Sequence, residues 1–257
     1  MLFNHAVFIG IDPTASGKEI SFAALDHDLQ LLTVAEEDIP GLMAYIRGQR
    51  TAVVALTSPR WPNQGLMADE DFRSNLNPQP TPGRWMDFRV AEYLLFQRNI
   101  RIPMTRAKED DCPNWMRTGF QLYRLLERQG YKAFPAEDEV QQTLEVYPQA
   151  AYTVLLERLP FSKNSLEGRL QRQLVLHSRA VDLPDPMRIF EEITRYRILQ
   201  GILPLERLYD AERLDALVAA YTAWYAVTKP LEAVTLVGDV EEGQIVLPGG
   251  NLKGKYS

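Results

Sequence analysis

Asp12 ends a short apolar run, Val7 to Ile11, and is followed at once by Pro13. A carboxylate at the end of a buried strand lies at the carboxyl edge of a sheet, where open α/β sheets bind ligands. Asp-Pro is also an ordinary way to turn a chain, so this acid alone leaves both readings open. A second acidic group lies far downstream in Asp210-Ala211-Glu212-Arg213-Leu214-Asp215, where Glu212 and Asp215 are three apart and share one helical face. Asp215 runs directly into Ala216, Ala219 and Ala220, small residues that let a helix approach its neighbour closely. A carboxylate carried into such a contact needs a partner, which is either a basic side chain or a metal cation. Two-metal hydrolysis of phosphodiesters requires carboxylates from separate elements to converge on a pair of Mg²⁺ or Mn²⁺ ions ~4 Å apart, one activating water and one stabilising the leaving oxygen. The spacing of Asp12 and Asp215 permits this arrangement without requiring it.

Basic residues could hold phosphates beside such acids. Lys163, Arg169 and Arg172 fall in one segment, and Arg169 and Arg172 are three apart on one helical face; pairing with Glu167 or a neighbouring helix is the structural alternative. Arg89 belongs to a second basic stretch, Arg84 to Lys108, in which six basic residues stand against Asp87 and Glu92. The net charge of -6 argues against a protein that coats nucleic acid non-specifically, because such binding depends on neutralising phosphates. His5, His27 and His177 show no metal-ligand spacing. Trp61, Trp85 and Trp115 could stack bases or anchor a core. The lone Cys112 excludes an internal disulfide and a cysteine-rich zinc site, and reads as a small buried side chain.

The elements that must position these groups follow from periodicity. Val7 to Ile11, Ile20 to Leu25 and Leu29 to Val34 predict an opening run of strands, the last two joined by Asp26-His27-Asp28 as a hairpin. Asp38 caps a predicted helix at Pro40 to Gly48, and Thr51 to Leu56 resumes as a buried strand. The order is therefore β-β-β-α-β. Residues 58–85, rich in proline and asparagine (Pro59, Pro62, Pro78, Pro80, Pro82), read as a long loop of the kind used for lids or binding. Its acids Asp69, Glu70 and Asp71 are further ligand candidates. Helices are predicted at 86–99, 114–130, 148–158, 164–180, 186–200 and 205–228, and a strand at Thr143 to Tyr147. A hairpin, Val234 to Val237 with Ile245 to Leu247, closes the chain before a flexible tail at 249–257. The expected organisation is a single α/β domain over residues 1–248. Apolar residues at 46% and charged residues at 24% fit an ordinary globular protein. No run is long and apolar enough to span a bilayer, and no N-terminal signal pattern is visible, so a cytoplasmic protein without membrane partners is expected.

Several motifs lie on these elements: Gly10-Ile11-Asp12-Pro13, Val53 to Pro59, Arg89 with Glu92, Glu145-Val146-Tyr147-Pro148, Lys163 with Gly168-Arg169 and Arg172, Leu214 to Ala220 with Thr222-Ala223, and Glu242-Gly243 with Ile245 to Pro248. Together they resemble the 429 family of domains of unknown function (DUF429) over nearly the whole chain. The resemblance implies a ribonuclease H-like mixed sheet with flanking helices and a C-terminal helical region plus hairpin. It also implies a predicted divalent-metal-dependent nuclease role with Mg²⁺ or Mn²⁺. Within it Asp12 matches the first-strand acid, Asp215 the late-helix acid, Glu212 the acid three residues earlier, and Glu145 the acid of the Glu-Val-Tyr/His-Pro motif. Asp12, Glu145 and Asp215 are thus the expected catalytic residues, with Asp12, Asp215 and Glu212 as metal ligands. Lys163, Arg169, Arg172 and Arg89 are the expected substrate-binding residues, and nucleic acid is the expected partner. Where the family carries Ile-Asp-x-Pro at the end of the fourth strand, this chain has Leu56-Thr57-Ser58-Pro59, a neutral hydroxyl in place of a carboxylate. That weakens a site for hard cations. Two other readings stay open: a binding module in which catalysis has decayed, and an actin-like phosphotransferase, which also opens on a Gly-x-Asp strand but needs a second Gly-rich phosphate loop.

Overall fold

Alternation of apolar residues sets which face each strand presents, and here it sorts the core into two layers. The computed structural model describes residues 3, 5–13, 19–81 and 83–257, so Pro82 of the long loop lies outside the described residues. Three strands, β1 (Val7–Asp12), β2 (Ile20–Leu25) and β3 (Leu31–Glu37), form an antiparallel meander. Helix α1 (Ile39–Arg47) begins at Asp38, whose carboxylate accepts from the Gly41 amide at 2.8 Å, and leads into β4 (Ala52–Leu56), parallel to β1. The predicted β-β-β-α-β opening is present.

The chain continues through α2 (Glu70–Ser74), α3 (Val90–Gln97), α4 (Asn114–Arg128), β5 (Lys132–Ala133), β6 (Gln141–Glu145), α5 (Pro148–Leu156) and α6 (Leu166–Ser178). It ends with α7 (Ile189–Glu192), α8 (Arg195–Leu199), α9 (Ala211–Thr228), β7 (Thr235–Asp239) and β8 (Gly243–Leu247). The eight-stranded sheet has the order β3-β2-β1-β4-β6-β8-β7, with β5 also paired to β6. Strands β1, β4, β6 and β8 are parallel, and antiparallel strands close both ends. This mixed sheet with flanking helices is consistent with a ribonuclease H-like α/β fold.

On one face Phe8, Ala23, Leu25, Val53, Ala55 and Leu144 pack under α9 and α5. The other face carries Ile9, Ile11, Phe22, Ala24, Val54 and Leu56 against α1 and α4. Gly10 has the parity of Phe8, and a Cβ built on it would lie 1.9 Å from the Ala216 carbonyl oxygen and 2.3 Å from the Ala220 nitrogen. Only glycine lets α9 lie directly on β1, and the alanines of α9 complete the contact.

Local structure departs from the periodicity in several places. The 186–200 segment is not one helix: a 3₁₀ turn at Pro186–Arg188 runs into α7, and α8 starts anew at Thr194, whose hydroxyl accepts from the Arg197 amide. Likewise 205–228 divides into a turn at Leu205–Arg207 and α9, which Asp210 caps through the Arg213 amide at 2.9 Å. In the long loop Asp69 caps the short α2. The strand expected at 143–147 lies at Gln141–Glu145, because Tyr147 and Pro148 open α5. Residues 249–257 lie against the body, with Tyr256 buried and hydrogen-bonded through its amide to Arg98 and its carbonyl to Asn99. No helix among the described residues is long and apolar enough to cross a membrane.

Candidate active site

Strand parity determines which acids can meet. Asp12 follows Gly10 by two residues and therefore points to the α9 side of the sheet. Thr57, two beyond Ala55, does the same, and its hydroxyl donates to Asp12 Oδ1 at 2.6 Å. Asp215 enters the same layer from the first turns of α9, held close to β1 by the Gly10 contact. Asp12 and Asp215 are 1% and 5% exposed, so two carboxylates are withdrawn from water side by side. Burial first, and then the neighbouring Asp12 charge, push the Asp215 carboxyl up to about 7, against the opposing effect of Lys163.

Lys163 is the cation between them. Its Nζ donates to Asp215 Oδ2 at 2.8 Å, and its side chain keeps 38% exposure. Burial works to lower its pKa, but the charge and hydrogen bond of Asp215, with Asp12 and Glu212 behind, raise it above the ordinary lysine value. Gly168 places this lysine: a Cβ there would sit 1.8 Å from the Ser162 carbonyl oxygen, so the 162–163 loop lies directly on α6. Ser165 then caps α6 by accepting from the Gly168 amide at 3.1 Å.

These groups line a cavity of about 360 Å³. Arg172, buried on α6, joins Lys163 there, and its guanidinium donates to the Phe161 carbonyl, the Gly168 carbonyl and Gln149 Oε1. Tyr147 also lines it and donates to the Arg101 carbonyl at 2.6 Å; burial, with the Asp215 charge, raises its phenol well above the usual range. Trp115 completes one wall. Of the three tryptophans considered for stacking, Trp115 is the one at this cavity. Trp85 packs edge-on against Phe88 and Tyr93, and Trp61 carries the Arg60 guanidinium 4.9 Å from its ring centre.

The remaining expected residues lie elsewhere. Glu145 pairs in register with Leu56, not Thr57, so it has the opposite parity and faces the α4 side. In the row that contains Asp12 and Thr57, the next strand contributes Val146, whose amide bonds the Leu56 carbonyl. Glu145 is instead held in a two-pronged pair by Arg89 at 2.8 and 2.9 Å, and it accepts from the Arg60 amide at 3.0 Å. Arg89 also donates to the Glu242 carbonyl. Glu92 accepts from the Thr105 amide and hydroxyl and from the Arg89 amide, while Glu242 accepts from the Val90 and Leu66 amides. Glu145, Glu92 and Glu242 thus surround one arginine. Glu92 and Glu242 stand in the motifs that carry the family resemblance, but neither is among the expected site residues.

Arg169 spans α6 and the segment before α9, donating to the Tyr209 and Leu208 carbonyls at 2.8 Å each, so its fork is occupied by backbone. Glu212 is half-buried on the first turn of α9 and does not line the cavity. Asp69 is spent on its cap, and Glu70 and Asp71 are exposed on α2. Among the described residues no group of three His, Cys, Asp or Glu side chains comes together as a metal site.

A family model described as protein of unknown function (DUF429) matches residues 67–242, more than half of the sequence. The chain belongs to this family. In this DUF429 protein the matched region carries Lys163, Arg172 and Asp215, whereas Asp12 and Thr57 precede it. The place of Asp12 in the site accordingly rests on the pairing of β1 with β4 and on the Gly10 contact. No curated protein matches the chain.

Proposed function

We propose that this DUF429 protein hydrolyses phosphodiester bonds with one divalent cation, Mg²⁺ or Mn²⁺, held by Asp12 and Asp215. The observation that carries the reading is the meeting of two buried carboxylates from separate elements on one cavity that also holds lysine and arginine. The residues fit a single hard cation, because Mg²⁺ commonly takes one or two carboxylates and keeps water and substrate oxygens as its other ligands. They do not fit a pair of cations: the row from Asp12 passes to a hydroxyl at Thr57 and an aliphatic side chain at Val146.

When bound, the cation would polarise a phosphoryl oxygen and favour the attack of water. Thr57 fixes Asp12 through the 2.6 Å hydrogen bond. Lys163, half-exposed at the cavity, binds a phosphate oxygen and offsets the charge that develops as the P–O bond to the leaving oxygen breaks. The leaving oxygen takes a proton, and the phosphate retains the oxygen of the water. Nucleic acid is the proposed substrate and partner.

The test is cleavage of labelled single-stranded, duplex and hybrid oligonucleotides with Mn²⁺. Asp12→Asn is expected to lower the rate roughly a hundredfold or more, as loss of several kcal/mol of charge stabilisation implies. Unchanged activity in that variant would overturn the reading. One observation favours a second reading, a binding module without catalysis: Lys163 already meets Asp215 at 2.8 Å. Calorimetric titration with Mn²⁺ separates the two, because a binding module has no need to take up the ion.

A further inference from the structure

The cavity beside Asp12 and Asp215 holds more anion-binding capacity than the acids require. Arg172 is only 1% exposed, and its Nε hydrogen has no acceptor in the protein although the other guanidinium nitrogens are bonded. Its guanidinium partners are carbonyl and amide oxygens rather than carboxylates, so Arg172, embedded beside the cavity, lends it positive potential. Two helix N-termini meet the same space. Helix α5 presents Tyr147, Pro148 and Gln149 there, and α4 presents Trp115. Neither helix has an acidic residue in its first turn or a side-chain cap, so no carboxylate of its own first turn offsets the positive end of either dipole.

The cavity also has an aromatic side. Trp115 and Pro103 contribute flat apolar surface to it. A ligand satisfying both sides must join a phosphate to an aromatic ring. At about 360 Å³ the space lies near the lower end of ligand pockets, which run ~300–1,000 Å³. Duplex binding draws instead on an extended basic surface, and this chain has a net charge of -6.

We propose that the cavity takes a single nucleoside monophosphate unit, with the phosphate at Lys163 in the positive field of Arg172 and the base on Trp115. The unit can be a free nucleotide or the exposed end of a single strand. This inference rests on the reading of Asp12 and Asp215 as the reactive edge of the same cavity. It makes the enzyme one that works at chain ends rather than within a duplex.

The experiment pairs binding with cleavage. Adenosine 5′-monophosphate is titrated into the protein with thermal stability as the readout, beside inorganic phosphate. A linear single-stranded oligonucleotide and a covalently closed single-stranded circle are incubated in parallel with Mn²⁺. The expected result is stabilisation by the nucleotide beyond that by phosphate, stepwise shortening of the linear strand and an intact circle. Trp115→Ala is expected to weaken nucleotide binding by about tenfold or more while Trp115→Phe retains it; Trp115 packs on the cluster of Cys112, Met116 and Phe120, so the unliganded thermal midpoint of each variant is measured as the control for folding. Nucleotide binding that depends on Trp115 without cleavage of either strand supports the ligand inference and removes the hydrolytic reading. Cutting of the circle as fast as the linear strand overturns the inference and leaves the hydrolytic reading standing. Phosphate binding as strong as nucleotide binding, or neither binding, overturns it as well.

Discussion

Two buried clusters of charge lie at the carboxyl edge of the same sheet, and they are finished differently. Around Arg89 three glutamates are each met by backbone amides, hydroxyls or the guanidinium itself. Burial works to lower the Arg89 pKa, but Glu145, with Glu92 and Glu242, raises it above its ordinary value. Around Asp215 the groups face a cavity and the lysine is half-exposed; Arg89 and Arg172 each have an Nε hydrogen without an acceptor, so that feature is common to both clusters. The first cluster ties α3, β6 and the β7–β8 turn together. The second is left able to receive something. Burial and charge alone do not mark a functional site; a cationic side chain that stays half-exposed on an accessible cavity does.

The contrast breaks most sharply at the arginine. Arg89→Met leaves buried carboxylates without their cation and is expected to destabilise the fold by about 3–5 kcal/mol, read as a lower urea midpoint. Asp215→Asn removes one of two crowded carboxylates and is expected to leave the urea midpoint within about 1 kcal/mol of the parent while abolishing Mn²⁺ uptake by calorimetry. If the two variants were equally destabilising, the distinction between a structural and a receptive cluster would fail.

Much of this was legible in the sequence, and the limits are physical. A strand-end acid, a helix with a small-residue face and a lysine before a Gly-Arg pattern were enough to select Asp12, Asp215 and Lys163. Glu145 was selected as well, because the sequence does not state pairing register. One residue of offset between β4 and β6 turned it to the α4 side and put Val146 in its row. Glu92 and Glu242 belong to motifs of the family resemblance, but their burial around one arginine is not stated by them: Glu242 reaches Arg89 and Val90 across some 150 residues, and Glu92 is closed off by Thr105. The 186–200 helix failed at Thr194, where a capping hydroxyl outweighs the apolar periodicity.

A smaller effect sharpens the comparison through pH. Burial, against Arg89 and the Thr105 hydrogen bonds, raises Glu92 to about 7 from the ordinary glutamate value. The native state therefore binds more protons than the unfolded chain between those two values, and the stability contributed by Glu92 falls as pH rises through that window and is level above it. The slope approaches about 1.4 kcal/mol per pH unit. Urea midpoints measured from pH 5 to pH 8 check it; Asp215, also raised to about 7, adds a slope of the same sign, so Glu92→Gln is expected to reduce the dependence without abolishing it. An unaltered slope in that variant would assign the effect to another group.

The Gly10 contact has a consequence for how the protein comes into being. It joins the first strand to a helix roughly two hundred residues later, so the Asp12–Asp215 pair closes a long loop. During synthesis the β1–β4 portion emerges long before α9 has been made, and Asp12 waits for Asp215. An incomplete chain carries no assembled pair of acids, which confines any activity of this cavity to molecules that have been translated through α9 and folded.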